Sequence, residues 1–304
     1  MANLLAAELH RIRRDPVSWL LAAAAVISGL LFGFSGRTDD VFVFPLFIVQ
    51  AVFISLSLGR EYNDGTLRNK IIAGKTKTAI FLSKLLVSLG ASLVLTVLFL
   101  LPFIPLYRRA LSGIPGEALF WMSLDFFLLN LAWAALFTLI SSLISAKGVA
   151  GILNLVLIFA LIVSAYELDH VVRQPAELPW ELSEPVPLSQ EELEQLKAGT
   201  LSKPFVQEFD ENGEVSYWTY SVTEGTIPNP NYLQEPWNGL LRGLHDALPS
   251  GPVQELMGCL YRGDNHLWEE TDAPPLERYP LCSLAGLLLL SALGLVTFRK
   301  KEIR

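Results

Sequence analysis

Gly74-Lys75-Thr76 is the triplet in this chain with the clearest chemical precedent, because Gly-Lys-Thr closes the phosphate-binding loop of nucleotide hydrolases. That loop needs a glycine five positions before Gly74 so that backbone amides can wrap a phosphate. Asn69 stands there, and no strand pattern precedes it. The chain is therefore not expected to hydrolyse ATP. Neither His-Glu-x-x-His nor Gly-x-Ser-x-Gly occurs, and the four histidines, His10, His170, His245 and His266, are dispersed. Three of them fall within 166–279, where a metal site is the minor alternative to ordinary surface histidines. Two cysteines, Cys259 and Cys282, are too few for a disulfide scaffold or a Cys-based zinc site. One bridge between them is the alternative to two buried free thiols. No catalytic residue, no metal set and no bound cofactor is expected.

The remaining polar residues of interest lie inside long apolar runs: Gln50, Asp125, Asn130 and Asn154. An ionisable group at membrane depth costs a few kcal/mol, roughly, and so faces a protein interior or a wet cavity. Asp125 is the leading candidate for a translocation path, with Gln50, Asn130 and Asn154 beside it. The competing reading makes Asp125 a solvated carboxylate near the interface, and Asn130 and Asn154 helix-to-helix hydrogen bonds.

The runs that must position these residues define the fold class. With 52% hydrophobic and 17% charged residues, the composition is that of an integral membrane protein. Apolar stretches at 17–34, 41–58, 79–106, 119–143, 148–165 and 280–298 predict six transmembrane helices. An 18-residue helix spans about 27 Å, close to the hydrocarbon thickness. Pro102 and Pro105 are expected to kink or end the third span. Residues 1–16 carry Leu5, Leu9 and Ile12 on one stripe, as an interfacial helix would. Lys84, one turn into the third span, is expected to snorkel back to the head groups.

Between the second and third spans lies a basic island, 59–84. Asn63 or Asp64 is expected to cap a short amphipathic helix within 61–74, with Leu67, Ile71 and Ile72 on one side, Arg68 and Lys70 elsewhere, and Gly74 as its stop. Its Gly59-Arg60-Glu61, the following Gly65-Thr66-Leu67-Arg68-Asn69-Lys70 and the later Ser83-Lys84 resemble the permeases of type 2 ABC exporters. The Glu8-Leu9-His10-Arg11-Ile12-Arg13-Arg14 run and the basic end at 299–304 are similar to that family's elbow helix and terminal stop. The resemblance implies a coupling element seated on an ATP-binding subunit, with Glu61, Leu67, Arg68, Ile71 and Ile72 making the contact. It further implies a permease homodimer with two separate ATPase subunits, which would bind the ATP and Mg. Membrane lipid is the other expected partner, and nucleic acid is not one.

Lys and Arg assign the sides. Fourteen fall on the face of the termini and basic island, against three in the short opposite loops, so both termini are expected in the cytoplasm. The resemblance implies that the membrane is a bacterial plasma membrane. Residues 166–279 hold 21 acidic against 6 basic residues, a net of −15, and read as an external α+β insert. Ser189 should cap a helix within it, Asn212-Gly213 should turn a hairpin, and helices are expected near 235–247 and 252–261. Trp180, Trp218, Trp237 and Trp268 are expected to pack its core. The acidity makes amphipathic or cationic peptides the expected substrate class. The rival function is a non-transporting receptor or scaffold with a peptide-binding extracellular domain.

Overall fold

The computed structural model describes residues 2–35, 43–144, 146–179, 185–198, 205–209, 215–220, 226–264 and 276–301. A first helix, α1 (Ala2–Arg14), precedes two long apolar helices, α2 (Pro16–Ser35) and α3 (Phe44–Asn63). The short α4 (Thr66–Ile72) leads into α5 (Lys77–Leu106), a one-turn α6 (Arg108–Ser112), α7 (Gly116–Leu143) and α8 (Lys147–Val172). Near the C-terminus lie α10 (Trp237–Ala247), α11 (Gly251–Asp264) and α12 (Arg278–Lys300), after an α9 (Gln190–Lys197) set among short strands. Helices α2, α3, α5, α7, α8 and α12 are long and apolar enough to cross a membrane. The chain is thus a multi-pass helical membrane protein.

Packing follows from which helices carry small or apolar faces. Helix α7 is the hub: Leu129, Ala132, Trp133, Ala134 and Phe137 are all fully buried, and Phe47 of α3 stacks on Trp133 with ring centroids 5.0 Å apart. Gly29 and Gly33 of α2 lie four residues apart, where any Cβ would strike Phe99 O and Leu106 of α5. That small-residue pair lets the two backbones approach closely in hydrocarbon, where dispersion rather than hydrophobicity drives association. Pro102 is accommodated and α5 runs on to Leu106.

Two compact units divide the chain. One comprises 1–169 with 239–304, the other 170–238. The acidic stretch expected as one insert is therefore split: α11 packs with the spans, burying Val253, Leu256, Cys259 and Leu260 in the same core as Phe126 and Tyr279. The smaller unit contains β1 (Glu177–Pro179) paired antiparallel with β5 (Thr226–Pro228). Strand β4 (Val215–Tyr220) is flanked by β2 (Pro185–Pro187) and β3 (Phe205–Phe209), both antiparallel. Ser189 caps α9 with a reciprocal Glu192 contact, a capping box. Asn212-Gly213 lies outside the described residues, as do Trp180 and Trp268. Trp237 is 62% exposed, so it does not pack a core as expected.

Two further expectations are corrected. Neither Asn63 nor Asp64 is the N-cap of α4: α3 extends through Glu61 to Asn63 with Asp64 as its C-cap, and the N-cap of α4 is Gly65 at φ +66, a left-handed turn open to glycine. The inward stripe of α1 is Leu4 and Glu8, both buried, with Ile12 half-buried, while Leu9 is exposed, so a carboxylate lies on the inward face.

Candidate functional site

Glu61 lies in the last turn of α3, the Gly65 turn leads into α4, and the first turns of α5 and the middle of α1 close the space. Five charges meet there. Lys84 of α5 donates to Glu8 at 2.6 Å and contacts Glu61. Lys70 of α4 reaches both Glu61 oxygens at 3.1 Å and also contacts Glu8. Arg11 of α1 bridges Glu61 and Glu8, at 2.8 Å each. Two carboxylates therefore face three cations, and Glu61 is only 1% exposed. Lys84 is buried here and does not snorkel.

Buried charges survive only when paired and hydrogen-bonded. Such a cluster contributes little net stability over an apolar replacement, but it tolerates few geometries. It thus fixes the angles among α1, α3, α4 and α5. Burial pushes the Glu8 carboxyl up, yet the Lys84 and Lys70 ammoniums outweigh this and hold it below its ordinary 4.5. A second clamp sits alongside: Arg60 pairs with Asp15 at 2.6 Å, and the Asp15 carboxylate also accepts from Val17 N and Ser18 Oγ at the start of α2. Partial burial raises Asp15, and the Arg60 hydrogen bond brings it below its ordinary 3.8.

Both carboxyls have folded pKa values below the unfolded ones, so their contribution is full above about pH 4.5 and disappears as pH falls through the depressed values. Hydrogen exchange along α1 should accordingly stay slow from pH 7 to about 5 and quicken progressively at lower pH, after correction for intrinsic exchange. Glu8→Gln should remove most of that pH dependence, and an unchanged profile in this variant would refute the assignment.

The residues expected to contact a partner divide into two sets. Leu67 is 4% exposed and packs with Ile80, Phe81, Leu85 and Phe298, with Ile71 partly buried against them. Glu61 is spent internally. Ile72, by contrast, is 73% exposed, and Arg68 is exposed with no partner among the described residues. The outward face of α4 is therefore Arg68, Asn69 and Ile72, not the Leu67 side. The C-terminal end joins this region: Lys301 Nζ lies 4.2 Å from the Tyr62 ring centroid and donates to Tyr62 Oη and Ser142 O at 2.9 and 3.0 Å. Burial lowers the pKa of Lys301. Lys77 donates to Lys301 O at 2.6 Å, fastening the end of α12 to the start of α5.

Within the spans, Gln50 Nε2 donates to Asn130 Oδ1 at 2.8 Å, and Asn130 Nδ2 to Phe126 O at 2.7 Å. Asn154 Nδ2 donates to Ser55 and Ser141, 2.9 Å each. These three amides are fully buried and join helices of one copy; they do not line an open path. Asp125 is different. Ser283 Oγ donates to its Oδ1 at 2.6 Å, while Oδ2 is buried without a hydrogen-bond partner among the described residues.

No disulfide joins Cys259 to Cys282. Among the described residues no three His, Cys, Asp or Glu side chains are grouped to hold a metal. His245 instead contacts Asp246 at 3.1 Å, and Asp246 pairs with Arg278. His10 and His170 are exposed, and His266 lies outside the described residues.

Fold and site together define a multi-pass helical membrane protein with a buried ionic junction at one end of its spans. Comparison with known protein families, with curated protein sequences and with solved structures found no match.

Proposed function

We propose that the chain is the permease subunit of a bacterial ABC exporter, acting as a homodimer with two ATPase subunits bound at α4. The observation that carries this reading is the ionic junction. A coupling element must be joined rigidly to the spans it moves while presenting a free face to the motor. Helix α4 meets both needs: Lys70 and Leu67 bind it to α1, α3, α5 and α12, and Arg68, Asn69 and Ile72 remain outside. The absence of a complete phosphate-binding loop leaves ATP and Mg to the partner. Both termini lie in the cytoplasm on this reading, and 170–238 forms an external α+β insert whose acidity favours amphipathic or cationic substrates, peptides among them.

Co-expression with candidate ATPase subunits tests it. The expected result is a stable complex that hydrolyses ATP and exports solute from vesicles, with a cysteine at position 75 shielded from external labelling reagents and one at 212 reached. A chain that binds no ATPase, or that labels in the reverse sense, would refute the exporter and leave a receptor or scaffold.

A further inference from the structure

At the end of the bundle opposite the ionic junction, α5, α6, α7 and α11 line a half-open apolar cavity of about 270 Å³. Its walls include Leu100, Phe103, Leu111, Phe126, Leu256 and Leu260. Ser123 is the hydroxyl on the wall, and its Oγ already donates to Leu119 O at 2.7 Å. Among the described lining residues the cavity therefore offers hydrocarbon and no free hydrogen-bond donor. An engineered apolar cavity of about 150 Å³ stays dry and takes up benzene, so this volume suits an alkyl group of roughly ten to twelve carbons. Ile104 and Ser123 at the rim are exposed. The stretch of α7 involved lies within about 16 Å of the end of its span, at the depth of one leaflet's acyl chains.

Met122 and Leu256 also line an adjoining second cavity of about 10 Å³, bordered by Trp121, Asp125, Cys259 and Tyr279. That volume admits one water-sized group. Asp125 is 2% exposed, and its Oδ2 has no partner among the described residues. An orphan carboxylate oxygen in a membrane-embedded core is costly unless a donor, best a cation, reaches it. A primary ammonium is water-sized, positive and a donor of three hydrogen bonds.

We propose that this double cavity binds a single-chain cationic amphiphile, its alkyl chain in the apolar chamber and its ammonium against Asp125 Oδ2. As a substrate class for transport this rests on the exporter reading above. As a binding site it does not, and the measurement below uses the chain without any ATPase, so the two can fail separately.

Saturable binding of radiolabelled dodecylamine to the purified full chain in lipid nanodiscs, defined by displacement with unlabelled dodecylamine, tests the site. Dodecanol, with the same tail and no charge, should compete at least tenfold more weakly. Asp125→Asn should weaken dodecylamine at least tenfold and bring the two ligands level, while Ser123→Trp at the exposed rim should weaken both alike. Absence of saturable binding by the parent chain overturns the proposal. Equal competition by dodecylamine and dodecanol also overturns it, since the chamber would then be an acyl-chain site indifferent to the head group. Both of these readings need no variant, so a failure of Asp125→Asn to fold leaves the proposal testable.

Discussion

Replacing Glu61 with Ala is expected to destabilise the chain by about 3–5 kcal/mol, the scale of breaking a buried ion pair by removing one partner. The reason lies in the count of charges. With Glu61 gone, Lys70, Lys84 and Arg11 all face the single carboxylate of Glu8, and Lys84 cannot reach water from its buried position. A second substitution should reverse much of the loss: in Glu61→Ala/Lys84→Met the charge left unpaired is removed, and an unbranched apolar side chain of similar length fills the space. Thermal unfolding of the purified single and double variants checks this. The double variant should unfold at a higher temperature than Glu61→Ala. The junction should nevertheless be looser than in the parent, because apolar contacts are less directional than paired charges; if the chain is an exporter permease as proposed, ATP hydrolysis by its ATPase should then continue with reduced transport. Equal stability of Glu61→Ala and the parent would mean the five charges are not interdependent.

Much of the fold was legible because a bilayer imposes one dominant rule: a spanning segment must be apolar over about 20 residues, and such runs stand out. The ends were less legible. Helix α8 continues to Val172, past its apolar run ending near 165, since a helix need not stop where hydrocarbon does. Helix α11 lies in the acidic stretch that its sequence assigns to an outer domain, but Val253, Leu256 and Leu260 pack it on the spans, a tertiary preference that local pattern does not carry. The junction was half visible. Glu61 and Lys84 were each conspicuous as charges near apolar runs, yet Glu8 was hidden by choosing the Leu5–Leu9–Ile12 stripe of α1. The alternative stripe, Leu4, Glu8 and Ile12, contains a carboxylate, and pairing it with the otherwise expensive Lys84 would have pointed to the contact. Gln50, Asn130 and Asn154 were visible as polar residues, but sequence cannot distinguish an amide that lines a path from one that joins two helices; only the partners do.

The opposed behaviour of Leu67 and Ile72 gives the sharpest test of how α4 is used. These residues are five apart on a short helix, both aliphatic, and differ in what surrounds them: Leu67 is enclosed by Phe81, Leu85 and Phe298, whereas Ile72 projects outward. Leu67→Asp would bury a carboxylate in an apolar cluster with no partner, which either leaves an unsatisfied charge or forces α4 out of its seat. Its expected effect is on the chain itself: a loss of about 3 kcal/mol or more, seen as a lower unfolding temperature. Ile72→Asp changes a side chain already in solvent, so the unfolding temperature should stay within the range of ordinary surface substitutions, about 0.5 kcal/mol. If α4 is the seat of the ATPase, that same change should weaken the complex at least tenfold, because an apolar contact becomes a desolvated carboxylate at the centre of the interface. The pair of readouts separates a structural role from a docking role on one element. Were Ile72→Asp to bind the ATPase like the parent while Leu67→Asp remained stable, the seat would lie elsewhere and α4 would be only a turn between two spans.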